Sequence, residues 1–195
     1  MASLAMHLAI ADMYVSRHGD EDMATFIEGA YTPDMSKDKV AAHYGVRVKC
    51  ANAKEFFDNK INIHKCISDL DFDISLDRAK FLHLFTDYVF YKYIYCDLLE
   101  ERFFEADSVI YKDFDYTTNY ILSHYTIPVP KEVSHIVHMR EGDLAPILTT
   151  DSMIDAMIEV MSSVDILECR DMLLKDEDTL VERLLSKLHS ISDMV

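Results

Sequence analysis

Apolar residues recur at steps of three and four through most of this chain, the period of a helix with one buried face. The clearest stripe is Leu82, Phe85, Val89, Tyr93, Cys96, Leu99 and Phe103. It predicts the longest helix, over about 76–103, with Ser75 as its cap. Tyr88, Tyr91 and Tyr95 widen the stripe, and His83, Asp87, Lys92 and Asp97 interrupt it, so it does not face lipid. Upstream, Leu4, Leu8, Ala11 and Val15 predict a helix to about His18, capped by Ser3 and stopped by Gly19. Asp20 or Asp22 starts a short helix ending near Gly29, and Thr32-Pro33-Asp34 reads as a turn. Ser36 caps a two-turn helix ending at Gly45, and another helix runs to about Asn59.

Downstream, helices are expected near 117–125, 131–139, 151–162, 164–174 and 178–192. Between the first two, Ile127-Pro128-Val129-Pro130 is extended, because a residue before proline is pushed out of the helical region. Residues 126–130 are therefore an internal boundary. Only Leu70-Asp71-Phe72-Asp73-Ile74 alternates with period two, so 61–74 holds a short strand or an extended segment. The expected fold is all-α, a compact helical bundle. Residues 1–65 form a small N-terminal helical subdomain and residues 75–195 an acidic bundle.

Composition mainly excludes. The chain has four glycines (Gly19, Gly29, Gly45, Gly142), and no two lie close together. A phosphate-binding P-loop, a dinucleotide fingerprint and a nucleophile elbow all need glycines at short spacing and are absent. No apolar run approaches the ~20 residues of a membrane span. Met1 to Val15 lacks the basic start of a signal peptide. Four dispersed cysteines read as thiols in a reducing compartment, so the expected location is the cytoplasm of a cell or of an infected host cell.

Charge divides the chain. Net charge is −16, yet 37–65 carries seven basic residues (Lys37, Lys39, Arg47, Lys49, Lys54, Lys60, Lys65) against three acidic ones. An anion would approach there. The same segment holds a helix-turn-helix-like pattern over 36–59. Val40 and Ala41 suit the inner face of a first helix, Gly45 the turn, and Val46 the start of a second. Phe57-Asp58-Asn59-Lys60 follows as an aromatic-x-x-Lys. This run of about 30 residues resembles the DNA-binding domain of TetR-type one-component repressors. The spacing from Gly45 to Phe57 is two residues longer than that family has, and Arg47 stands where its Ser/Thr cap is expected. The resemblance implies DNA contacts from Lys37, Arg47, Lys49, Asn52 and Lys54. The competing reading is a helix that simply ends in its preferred glycine.

Two further patterns carry candidate chemistry. Glu132, His135 and His138 place a carboxylate and imidazoles one turn apart, as metal ligands need. His83 and Asp87, one turn apart on the long helix, would complete such a site. Val181, Leu184, Leu188, Ile191 and Val195 step three, four, three, four, a heptad seam for a partner helix, a second copy or the domain's own core.

The first functional reading is a non-catalytic regulatory protein with a protein partner, acting without a cofactor and without a membrane. Eleven Met, eleven Tyr and no Trp suit adaptable interfaces and a virus- or phage-encoded regulator. The alternatives are a helix-turn-helix regulator with 37–65 on nucleic acid, and a metal-dependent helical enzyme. A homodimer through the C-terminal seam fits any of them.

Overall fold

The computed structural model describes residues 3–96, 106–142 and 144–192. The fold is all-α, and no strand occurs among the described residues. Helix α1 spans Leu4–His18. The Ser3 side chain accepts from the Met6 N–H at its start, and Gly19 closes it in the left-handed region at φ 70°. Residues 4–11 are buried without interruption. A helix covered on all sides lies inside its domain rather than on the surface, and α1 packs against helices from both halves of the chain.

Helix α2 (Met23–Met35) runs six residues past Gly29, where a stop was expected. The reason is packing. A Cβ on Gly29 would lie 2.4 Å from the Leu76 carbonyl oxygen, so glycine lets α2 approach the next long helix closely. Pro33 sits in the last turn instead of a separate turn and removes one backbone donor. The helix ends two residues later.

Helix α3 (Lys39–Ala42) is a single turn capped by Asp38, and α4 (Ala53–Asp58) is capped by Asn52. Residues 45–52 between them are not helical, so 36–59 does not form a helix-turn-helix. Ala41, expected on an inner face, and Val46, expected to start the second helix, are exposed. Valines alternating with Arg47 and Lys49 favour extended backbone. Gly45 packs its α-carbon against the Lys60 and Asn59 carbonyls, and the Val46 N–H bonds the Asn59 carbonyl at 2.9 Å.

The 61–74 segment holds helix α5 (Ile63–Asp69) rather than a strand, followed by a turn. Helix α6 is Ser75–Phe90, with residues 81–90 all buried. Ser75 does not cap it. Ile74 holds that position, and the Ser75 hydroxyl donates to Glu21. Arg78 makes a two-pronged pair with Glu21 at 2.6 and 2.7 Å, fastening the α1–α2 corner to α6. Residues 97–103 of the expected long helix, with Leu99 and Phe103, lie outside the described residues.

Tyr91–Tyr95 continues α6 as one π-helical turn. Tyr88 and Tyr93, five residues apart, both donate to Glu177, a convergence that α-helical turning of 100° per residue would prevent. Lys92 at 3.1 Å and His64 at 3.3 Å complete the shell around this carboxylate. Burial would raise the Glu177 pKa, but the bonds from Tyr88, Tyr93 and Lys92 outweigh it and bring it from 4.5 to about 2. A depressed carboxylate pKa adds stability that is present above the unfolded value and lost as pH falls toward the folded one. Glu177→Gln therefore lowers the melting temperature at pH 7. The gap to wild type narrows between pH 4.5 and 2, which thermal melts across that window measure.

Helix α7 (Ala106–His124) is followed by an extended 125–130 and by turns, not a helix, over 131–138. Asp113 of α7 is fully buried. It accepts from the Ile147, Leu148 and Thr149 N–H groups and from the Tyr95 and Thr149 hydroxyls. It thereby fixes the entry to α8 (Asp151–Met161), which Thr150 caps. Helices α9 (Ile166–Lys175) and α10 (Glu177–Ser192) complete the fold, with α10 against α8 and α9. No described helix is long and apolar enough to cross a membrane.

Candidate metal centre

The interior of this bundle holds five ionisable side chains at one point. His7 comes from α1, Asp34 from the last turn of α2, His43 from the residue closing α3, and His83 and Asp87 from successive turns of α6. All five are buried, with Asp87 at 0% exposure. Buried charged groups are costly unless paired or bound to a metal, so this convergence in a domain centre calls for a cause.

Local structure aims the side chains. Gly29 lets α2 lie close enough to α6 for Asp34 to reach it. Tyr44, directly after His43, takes a left-handed φ of 57° as the chain leaves α3. The His43 Nδ1 lies 2.7 Å from the Lys39 carbonyl oxygen, and the His83 Nδ1 lies 2.7 Å from the Ala30 carbonyl oxygen. A carbonyl only accepts, so both Nδ1 atoms carry hydrogen. Nε2 of each ring is then the atom left to bind a further proton or a metal. These two Nε2 atoms lie 3.2 Å apart. At this distance the two atoms share one proton as a hydrogen bond or turn their lone pairs toward one cation.

The remaining groups complete a shell. Asp87 Oδ2 lies 3.5 Å from His43 Nε2 and 3.8 Å from His83 Nε2, and Asp34 Oδ1 lies 3.7 Å from His43 Nε2. Ligands at ~2.0–2.1 Å in a tetrahedral zinc site stand roughly 3.3 Å from one another. These four spacings, 3.2 to 3.8 Å, are close to that value, and Asp34, His43 and His83 form one metal-sized group and His7, His83 and Asp87 another. Asp34 Oδ1 has no hydrogen-bond partner among the described residues. His7 stacks on His83 with ring centroids 3.6 Å apart, and its Nε2 lies 3.2 Å from Asp87 Oδ1. It thus orients Asp87 from behind.

Electrostatics suit a cation. Burial and the neighbouring His7 hold the His83 pKa well below 6.5, which keeps its Nε2 lone pair available. Burial raises the Asp34 pKa, and the charge of Asp87 raises it further. For Asp87 burial is outweighed by nearby positive charge, His7 and His43 included, and its pKa falls well below 3.8. Two ionised carboxylates would balance the charge of a divalent ion.

No protein-family model, curated protein or solved structure matches this chain.

The residues singled out in the sequence are placed as follows. His83 and Asp87 are in the centre, but their companions are His7, Asp34 and His43 rather than His135 and His138. Glu132, His135 and His138 are exposed on the 131–138 turns, and the Arg140 guanidinium lies 2.6 Å from His138 Nε2. Among the described residues, no metal-sized group includes these three. Lys37 and Lys54 are exposed, and Asn52 caps α4. Arg47 and Lys49 lie in the extended stretch and line a pocket. Val181, Leu184 and Leu188 are buried and Ile191 is half-buried, so the chain's own helices cover most of the seam; Val195 is outside the described residues. His7, Asp34 and His43 were missed because nothing in their spacing links them. The usable signal was His7 inside the apolar face of Leu4, Leu8 and Ala11.

Proposed function

We propose that this protein is a metalloprotein that holds one divalent first-row transition metal, zinc by ligand chemistry, in the His43–His83–Asp34–Asp87 shell. The observation that supports this most is the 3.2 Å approach of two Nε2 atoms whose Nδ1 hydrogens are both committed to backbone carbonyls. That is the outer-shell arrangement which fixes metal-binding histidines elsewhere. A structural role is served because the four ligands join α2, α3 and α6. A catalytic role is also within reach. His43 lines a pocket of 620 Å³, and Asp34 lines a second of 210 Å³, so an ion between them is one side chain from a bound molecule on either side.

The test is elemental analysis of purified protein, with titration of chelator-treated protein by Zn²⁺, Co²⁺, Mn²⁺ and Fe²⁺. One equivalent of metal is expected to bind and raise the melting temperature, and Co²⁺ should give the visible bands of a tetrahedral site. His83→Gln should abolish uptake, and Glu132→Gln should leave it unchanged. Failure of every ion to bind or stabilise the wild type would remove this reading.

A further inference from the structure

The pocket that His43 borders has a chemical character of its own. It lies between α3, the 45–50 stretch, the end of α4 and the exposed side of α7. Its lining includes Lys39, Arg47, Lys49 and Lys60 and, among the described residues, no Asp or Glu, in a chain of net charge −16. Lys39 and Lys49 have no ion-pair partner among the described residues. Arg47 pairs with Asp38 at 2.9 Å in an exposed contact of little strength. Lys60 rests over the Phe56 ring at 4.1 Å.

The walls between the cations are aromatic: Phe56, Tyr91, Tyr111 and Phe114. Tyr111 is 62% exposed, and Val46 and Val48 beside it are 56% and 55% exposed. Apolar groups of this size left in water at a pocket mouth mark a binding surface. Aromatic faces take a flat ring by stacking, and lysines take the phosphate it carries. At 620 Å³ the pocket falls in the ~300–1,000 Å³ range of small-molecule sites.

We infer that this pocket binds a nucleoside monophosphate, the base stacked among the aromatic walls and the phosphate held by Lys39 and Lys49. Pocket size favours a mononucleotide over a strand. The inference does not depend on the metal, and titrations in the presence of a chelator keep the two apart.

The experiment is calorimetric titration of the full chain at about 50 mM salt, where phosphate contacts are strongest. The probes are AMP, GMP, CMP and UMP, with adenosine, inorganic phosphate and an oligothymidylate as comparisons. At least one mononucleotide should bind with one-to-one stoichiometry, on the order of tenfold or more tightly than adenosine or phosphate. Lys49→Glu and Tyr111→Ala should each weaken that binding by about tenfold, the loss expected for one charge-assisted or stacking contact. Both side chains are exposed, so neither change should shift the melting temperature appreciably. No binding of any mononucleotide, equal binding by both variants, or binding of the oligothymidylate alone would overturn the proposal.

Discussion

Asp113→Ala should lower the free energy of unfolding by about 4 kcal/mol in urea denaturation. The carboxylate is fully buried, and its five donors come from two parts of the chain, Tyr95 and the 147–149 loop. Alanine leaves the Ile147, Leu148 and Thr149 N–H groups and the Tyr95 hydroxyl without this acceptor. Each unsatisfied buried donor costs ~1–3 kcal/mol. Burial and the nearby Asp113 hold the Tyr95 phenol protonated, so it keeps a hydrogen that needs a partner. Asp113→Asn fits the space but offers one accepting oxygen where two are used, and it should recover only part of the loss. Amide exchange at 147–149 should accelerate in both variants. A loss below about 1 kcal/mol would mean that the 147–149 loop finds other acceptors.

The other large effect is expected at Leu188→Asp. Leu188 is 6% exposed and packs into the main core with Leu180 and Leu184. An aspartate there is a buried charge without a partner, and the domain should unfold or lose more than about 4 kcal/mol. Ser186→Asp, on the exposed side of α10, should change stability by no more than about 0.5 kcal/mol. A Leu188→Asp protein that melts like wild type but has lost self-association by light scattering would show the opposite, a seam that serves an interface. Either result decides what the heptad spacing is for.

The helices that could be read from the sequence were those with local signals at both ends. Ser3 and Gly19 bracket α1 as expected, and α8, α9 and α10 lie within two residues of their expected spans. Misreadings fell where a residue with a strong local preference serves a distant contact. Gly29 is a close approach to α6, not a helix stop. Ser75 answers to Glu21, not to its own helix. Gly45 turns the chain toward Asn59 and Lys60 instead of into a second helix. The centre was half legible for the same reason. His83 and Asp87 share a helix face, so their spacing exposes them. His7, Asp34 and His43 join them only through the packing of α1, α2 and α3 on α6, which no short-range pattern encodes.

The four basic residues of the pocket lining, with no acidic one among the described residues, bear on how quickly, and for whom, that pocket is accessible. A mononucleotide carries its charge on one phosphate, smaller than the ~8 Å screening length at physiological salt, so that charge feels chiefly the local cations once it arrives. A long polyanion cannot confine its charge to that region, and its flanks run over the acidic remainder of the surface. The same charge distribution thus attracts one phosphate and repels a chain of them. Association with a mononucleotide should slow as salt rises, because its attraction is screened, while encounter with a long strand should grow less unfavourable.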